Sequence, residues 1–252
     1  MLEFLIFFVS FGAWFYIQSS LWESLFHQYL LDLSPRDRAC LFRIRKWAPA
    51  IWNIHYDHNV LHHHRTYRSS YVQQFASARE EARLRAVLVK QFDAATVREM
   101  TTSRYGATFT RAGHIPFAIP IILNLGWLAV VHGPVQIAAV LCADLIFATP
   151  FFIFSKWVHP YMHARFDEAA LTAPVPLRWV VTSPYAVAVR ISHYVHHCDP
   201  TRNYNLQYFA DLIRGKWRAP TGAEWSDMVA QGVILPRHRT ALEGRRFLLH
   251  PF

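Results

Sequence analysis

Apolar residues lie along this chain in long unbroken runs, not in the alternation of a strand or the single stripe of a surface helix. The stretch 2–21 is almost continuous, broken only by Glu3, Gln18 and the serines Ser10, Ser19 and Ser20. About 20 helical residues at 1.5 Å each cross a ~30 Å hydrocarbon core, so this run predicts a membrane span. No basic residue precedes it, and it is longer than the apolar part of a secretory signal, which argues against a cleaved leader. A second block, 115–154, is interrupted at His132-Gly133-Pro134, a turn sequence. It predicts a helical hairpin of two further spans, 115–131 and 134–154. Pro116 and Pro120 fall in the first turns of the rising helix, where a missing N–H costs little.

The remainder predicts a helical cap. Good helix formers with charge on most turns place a surface helix at 77–100. The semi-apolar segment 174–191 carries Arg178, Pro184 and Arg190. It predicts an interfacial or re-entrant element, with a fourth span as the alternative. The last thirty or so residues, with Pro220, Pro236 and Pro251, predict an irregular tail. The expected fold is therefore all-α: one integral membrane helical domain over 1–252, with three spans, or four if 174–191 crosses.

Charge fixes the orientation. Residues 1–35 and 112–155 hold no Lys or Arg; all 26 basic residues lie between Arg36 and Arg111 or between Lys156 and Arg246. Three spans put both basic stretches, 32–111 and 156–252, on one side of the membrane, and the positive-inside tendency makes that side cytoplasmic. The net charge of +9 does not read as nucleic-acid binding, because the basic residues avoid the spans and form no DNA-reading motif. Three cysteines, Cys40, Cys142 and Cys198, without a CxxC pair exclude a disulfide framework and a cysteine zinc ribbon.

Fifteen histidines are the anomaly, and ten of them fall in three clusters. His55, His58, His62, His63 and His64 make the first, His159 and His163 the second, and His193, His196 and His197 the third. On a helix, residues three and four apart share a face, so HxxH and HxxxH aim two imidazoles at one point. The expected topology brings all three clusters, with His27, to the inner membrane face. Eight or more clustered imidazoles exceed the four ligands of one zinc, and they fit two metals with a position open for oxygen or water. Two irons suit that donor set best. His55, His58 and His62 lie on one helical stripe, whereas His58, His62 and His63 give the HxxxHH pattern, with His55 then a supporting residue; spacing leaves the choice open, and His64 points away from either set. Asp57, Asp199 and Asn205 are further candidates for orienting the ligands. His114, His132, His238 and His250 are isolated. Asp144 falls inside the third span, where an ionisable group needs a partner such as Asn124.

These residues resemble the fatty acid hydroxylase/sterol desaturase superfamily, the membrane di-iron proteins with histidine boxes. The likeness covers roughly 22–217. His27 to Asp32 resembles the first box, HxxxxH; His58 to His63 the second; His159 to His163 the third; and His193 to His197 the last. Asn203-Tyr204-Asn205, Ala210-Asp211 and Gly215-Lys216 resemble the family's closing stretch. Asp32 stands where the family has a second histidine. A carboxylate can ligate iron; alternatively Asp32 ends a helix and one ligand is missing. The gap from Asp32 to His55 is also longer than is usual in the family.

The resemblance implies an O2-dependent oxygenase that hydroxylates an alkyl or lipid substrate. Its metal ligands would be His27, Asp32, His58, His62, His63, His159, His163, His193, His196 and His197. Desaturation and related oxidations use the same ligands. The chain shows no dinucleotide fingerprint or haem box, so electrons are expected from a separate reductase, ferredoxin or cytochrome-type donor docking on the basic face. The contrasting class is a non-redox metal-binding membrane protein, for which Asp32 is the main support.

Overall fold

The computed structural model describes residues 1–67, 70–72, 74–101 and 115–243, which are helical with no strand among them. The first apolar run forms α1 (Leu2–Phe26) and continues unbroken into a π-helical turn, His27–Leu31. His27 therefore rides on the same rod as the apolar run. Next come α2 (Pro35–Ile44), capped by the Ser34 hydroxyl, and α3 (Pro49–His55), which passes directly into an 11-residue π-helical segment, Tyr56–Thr66. The expected helix at 77–100 is two helices, α4 (Ala78–Leu88) and α5 (Ala94–Thr101). Asp93 divides them, because its carboxylate accepts from the backbone N–H groups of Ala95 and Thr96 in the manner of an N-cap.

After α6 (Ile115–Leu125) and a 3-10 turn, Gly126–Ala129, the chain reverses at Gly133, and Pro134 opens α7 (Pro134–Ala143). Pro120 sits inside α6, not in its first turn. The returning arm runs on through a π-helical turn at Asp144–Ala148, α8 (Thr149–Ile153), a second π-helical turn at Phe154–Val158, and α9 (His159–Met162). Two rods, Leu2–Leu31 of 30 residues and Pro134–Met162 of 29, are long and apolar enough to cross a membrane by length and composition. The apolar helix Pro116–Ala129 between them is shorter, and at 1.5 Å per residue it does not reach ~30 Å.

The two rods pack closely. Phe15, Val140 and Ala143 are buried between them with Phe8, Phe11 and Phe147 alongside. A Cβ at Gly12 would stand 2.4 Å from the Phe147 ring, so only glycine allows this approach. Asp144 meets Asn124, whose Nδ2 donates to Oδ1 at 3.2 Å, the pairing anticipated from sequence.

The cap continues with α10 (Phe166–Thr172), α11 (Val175–Val181) and α12 (Pro184–Cys198). Segment 174–191 is thus not a continuous helix. Ser183-Pro184 breaks it, with the Ser183 hydroxyl accepting from Ala186 N at 3.1 Å, and the apolar residues of α12 are buried within the protein. The expected irregular tail also differs. Following the short α13 (Ala210–Ile213), it forms α14 (Gly222–Ala230) and α15 (Pro236–Glu243). Thr221 and Glu224 make a reciprocal capping box at the start of α14, and Pro236 occupies a helix start, where proline is favourable. Residues 114 and 250, both histidines, lie outside the described residues.

Thr221→Ala should destabilise the protein by about 1 kcal/mol, seen as a lower melting temperature that Thr221→Ser restores; an unchanged melt in Thr221→Ala would show that the box contributes nothing.

Candidate metal centre

The inner half of α1 carries a polar stripe. Ser20, Glu23, Ser24 and His27 are spaced three and four apart and share one face, and all four are buried. The first three grip the loop after α12. Glu23 accepts from the backbone N–H groups of Leu206 at 2.9 Å and Gln207 at 3.0 Å, and from Asn205 Nδ2 at 3.1 Å. Ser20 Oγ donates to the Gln207 carbonyl at 3.0 Å, and Ser24 Oγ to Asp211 Oδ1 at 2.5 Å. This loop supplies the Tyr204 carbonyl that bonds the His27 ring and the Arg202 carbonyl that takes the Nδ1 proton of His196 at 2.8 Å.

The histidines of 55–64 lie where α3 gives way to π-helix. In an α-helix of 3.6 residues per turn, positions five apart diverge by about 140°. In a π-helix, i→i+5 bonding stacks them instead. His58 and His63 consequently meet, Nε2 to Nε2, at 3.1 Å. The straight stripe His55-His58-His62 is not the inward set. His55 turns aside and donates Nδ1–H to the Leu31 carbonyl at 2.9 Å, and the His64 side chain is exposed.

Nine of the ten expected ligands gather in two groups. His27, Asp32, His58, His63 and His196 each offer a donor atom within 4.8 Å of the others, and so do His62, His163, His193 and His197. The tenth, His159, lies outside both groups, with Nε2 2.8 Å from His193 Nε2. Further Nε2–Nε2 separations are 2.8 Å for His27–His58, 3.0 Å for His163–His193 and 3.1 Å for His62–His197. Two nitrogens each about 2.1 Å from one ion, at octahedral to tetrahedral angles, lie about 3.0–3.4 Å apart. The spacing fits shared ligation.

Proton placement points the same way. A neutral imidazole has one donor and one acceptor nitrogen. His163 Nδ1 bonds the Tyr71 carbonyl at 3.1 Å, and His196 Nδ1 the Arg202 carbonyl, so in the neutral form of each ring Nε2 faces inward as a lone pair. His196 Nε2 and Asp32 Oδ2 are buried without a hydrogen-bond partner, although they stand 3.2 Å apart. Burial, reinforced by neighbouring rings, holds His58, His62, His163, His193 and His197 well below the usual imidazole value, so they are neutral imidazoles at pH 7, the form that can ligate a metal. Burial pushes the Asp32 carboxyl up, but His63, His196 and His27 outweigh it and hold the carboxyl well below the carboxylate range. Against the opposing effect of burial, Asp32 raises His196.

Several contributors were not singled out in the sequence. Asn59 Nδ2 donates to Asp32 Oδ1 at 3.0 Å and fixes the carboxylate. Arg190 is fully buried and donates to the carbonyls of Ala164 and Tyr161, at 2.5 and 2.6 Å, bracketing His163. Tyr67 stacks on His163 with centroids 4.1 Å apart, and Tyr204 lies 5.7 and 5.5 Å from His27 and His196. Of the proposed supporting residues, Asn205 joins the Glu23 network, Asp199 is a turn residue bonded to Thr201, and Asp57 is buried. His132 is exposed, and His238 packs on Phe166.

A small cavity adjoins both groups. His27, His58, His159 and His193 contribute to its walls together with the apolar Leu31, Phe117 and Leu206. Comparison with known families, characterised proteins and solved structures finds no match for this chain.

His62→Ala and His196→Ala should each lower bound metal by about one ion per chain, measured by elemental analysis, while His64→Ala leaves it unchanged. Equal loss in all three would contradict the grouping.

Proposed function

We propose that the protein is an integral membrane, O2-dependent di-iron oxygenase that hydroxylates an alkyl chain or lipid. The observation that carries this reading is the pair of buried donor groups beside a part-apolar cavity, at the ends of two long apolar rods. Imidazole with one carboxylate suits iron, and two adjacent groups leave room that a closed structural zinc site does not. When bound, the irons supply oxygen activation and oxidising power.

The chain's own residues do the rest. His27, Asp32, His58, His63 and His196 hold one ion; His62, His163, His193 and His197 hold the other. Leu31, Phe117 and Leu206 give the small cavity beside the metals an apolar wall that excludes water, and an alkyl chain enters only when that cavity opens. Glu23 and Arg190 keep the ligand-bearing segments in place. Hydroxylation and desaturation differ in where the substrate carbon sits, so both remain within this chemistry.

Electrons come from a separate reductase, ferredoxin or cytochrome-type donor. The basic stretches offer an acidic carrier a complementary surface and also suit anionic lipid headgroups. We place the centre on the cytoplasmic side, with the N-terminus and the Gly133 turn outside; the chain then crosses a third time before Gly133, and the helix Pro116–Ala129 is too short to make that crossing alone.

Lipid mass spectrometry of cells expressing the protein should reveal an oxygenated species absent with His196→Ala. Identical lipid profiles, with two irons bound to the wild type, would move the protein to the non-redox class. A cysteine placed at Gly133, in a background lacking the native cysteines, should label from outside intact cells. Labelling only after permeabilisation would reverse the orientation.

A further inference from the structure

The two donor groups differ in charge. Asp32, with its side chain 2% exposed, belongs to the first group alone. One of its oxygens is held by Asn59 Nδ2, and the other stands 3.3 Å from His27 Nε2 and 3.2 Å from His196 Nε2 with no hydrogen bond of its own. The carboxylate is thus fixed on one side and presented to the imidazoles on the other. The second group has four imidazoles and no carboxylate. A cation lies close to it instead. Arg190 precedes His193 by three residues on α12, so the two share a face. Its guanidinium is fully buried and, among the described residues, donates only to carbonyls and has no carboxylate partner.

Resting on the reading that both groups hold metal, we propose that the two positions are unequal. The Asp32 position binds its ion tightly and favours the higher-charged state, whereas the His62-His163-His193-His197 position binds weakly and exchanges. Two physical effects act in the same direction. An anionic oxygen donor attracts a cation more strongly than a neutral nitrogen, above all in a buried site where charges are poorly screened, and it is the harder ligand. A buried guanidinium beside the second group opposes a further positive charge there. The asymmetry belongs to this chain's own residues, since a histidine at position 32 would make both groups neutral.

The test is stepwise metal removal from purified protein loaded with cobalt(II) alone, with metal per chain and the visible spectrum followed as a competing chelator is added. The wild type should lose its two ions in separate steps, about tenfold or more apart in chelator concentration. His193→Ala should lose only the weak step and keep the tight one. Asp32→Asn should weaken the tight step about tenfold or more. Asp32→His keeps a donor but removes the charge, and it should still bind two ions, with the steps merged. One concerted step in the wild type, or two well-separated steps in Asp32→His, would overturn the inequality while leaving the di-metal reading intact. A wild type that binds no cobalt and no iron would overturn that underlying reading and the inequality with it.

Discussion

Inward-facing imidazole lone pairs are the constraint on which the rest of this structure depends. The Nδ1 atoms of His163 and His196 are committed to fixed backbone carbonyls, so in the neutral tautomer their Nε2 atoms face inward as acceptors. Buried imidazoles that meet Nε2 to Nε2 at about 3 Å, as His163 and His193 do, need either a proton from one partner or a cation between them. The surrounding architecture serves that arrangement. Glu23 secures the loop that provides carbonyls to His27 and His196, and Arg190 secures the turn that carries His163. Each is a buried ionisable group whose bonds go mostly to backbone, and each borders a segment that carries candidate ligands.

Much of this was legible in the sequence, and the omissions have physical causes. Apolar runs and the Gly133-Pro134 turn gave the helical class and the long rods, because burial and lipid impose the same pattern. Histidine spacing, together with the family resemblance for His27 and Asp32, gave eight histidines and one aspartate that do converge. What failed was helical period. The 3.6-residue rule favours His55 over His63, but the π-helical segment 56–66 reverses that choice, and nothing in local composition marks a π-helix. The same departure recurs at His27–Leu31 and Phe154–Val158, beside His27 and His159. The helix at 77–100 and the tail were misread for a different reason. Asp93 and the Thr221–Glu224 box are ordinary capping signals, outweighed in the first case by good helix formers and in the second by prolines. Glu23 and Arg190 were hidden because burial of a charge is set by distant backbone, not by its neighbours in sequence.

The two rods long and apolar enough to span a membrane lead to the candidate centre. His27 and His159 ride on the two helices that are apolar enough to span, and both border the cavity beside Phe117 and Leu206. This geometry, combined with neutral nitrogen ligands and a single carboxylate, is why we favour oxidation of an alkyl group over simple metal carriage.

Anomalous scattering at the iron edge from crystals of the iron-loaded protein tests the central claim most directly. The account predicts two peaks, one about 2.0–2.2 Å from donor atoms of His27, Asp32, His58, His63 and His196, the other equally close to His62, His163, His193 and His197. A single peak, or peaks remote from these side chains, would contradict it.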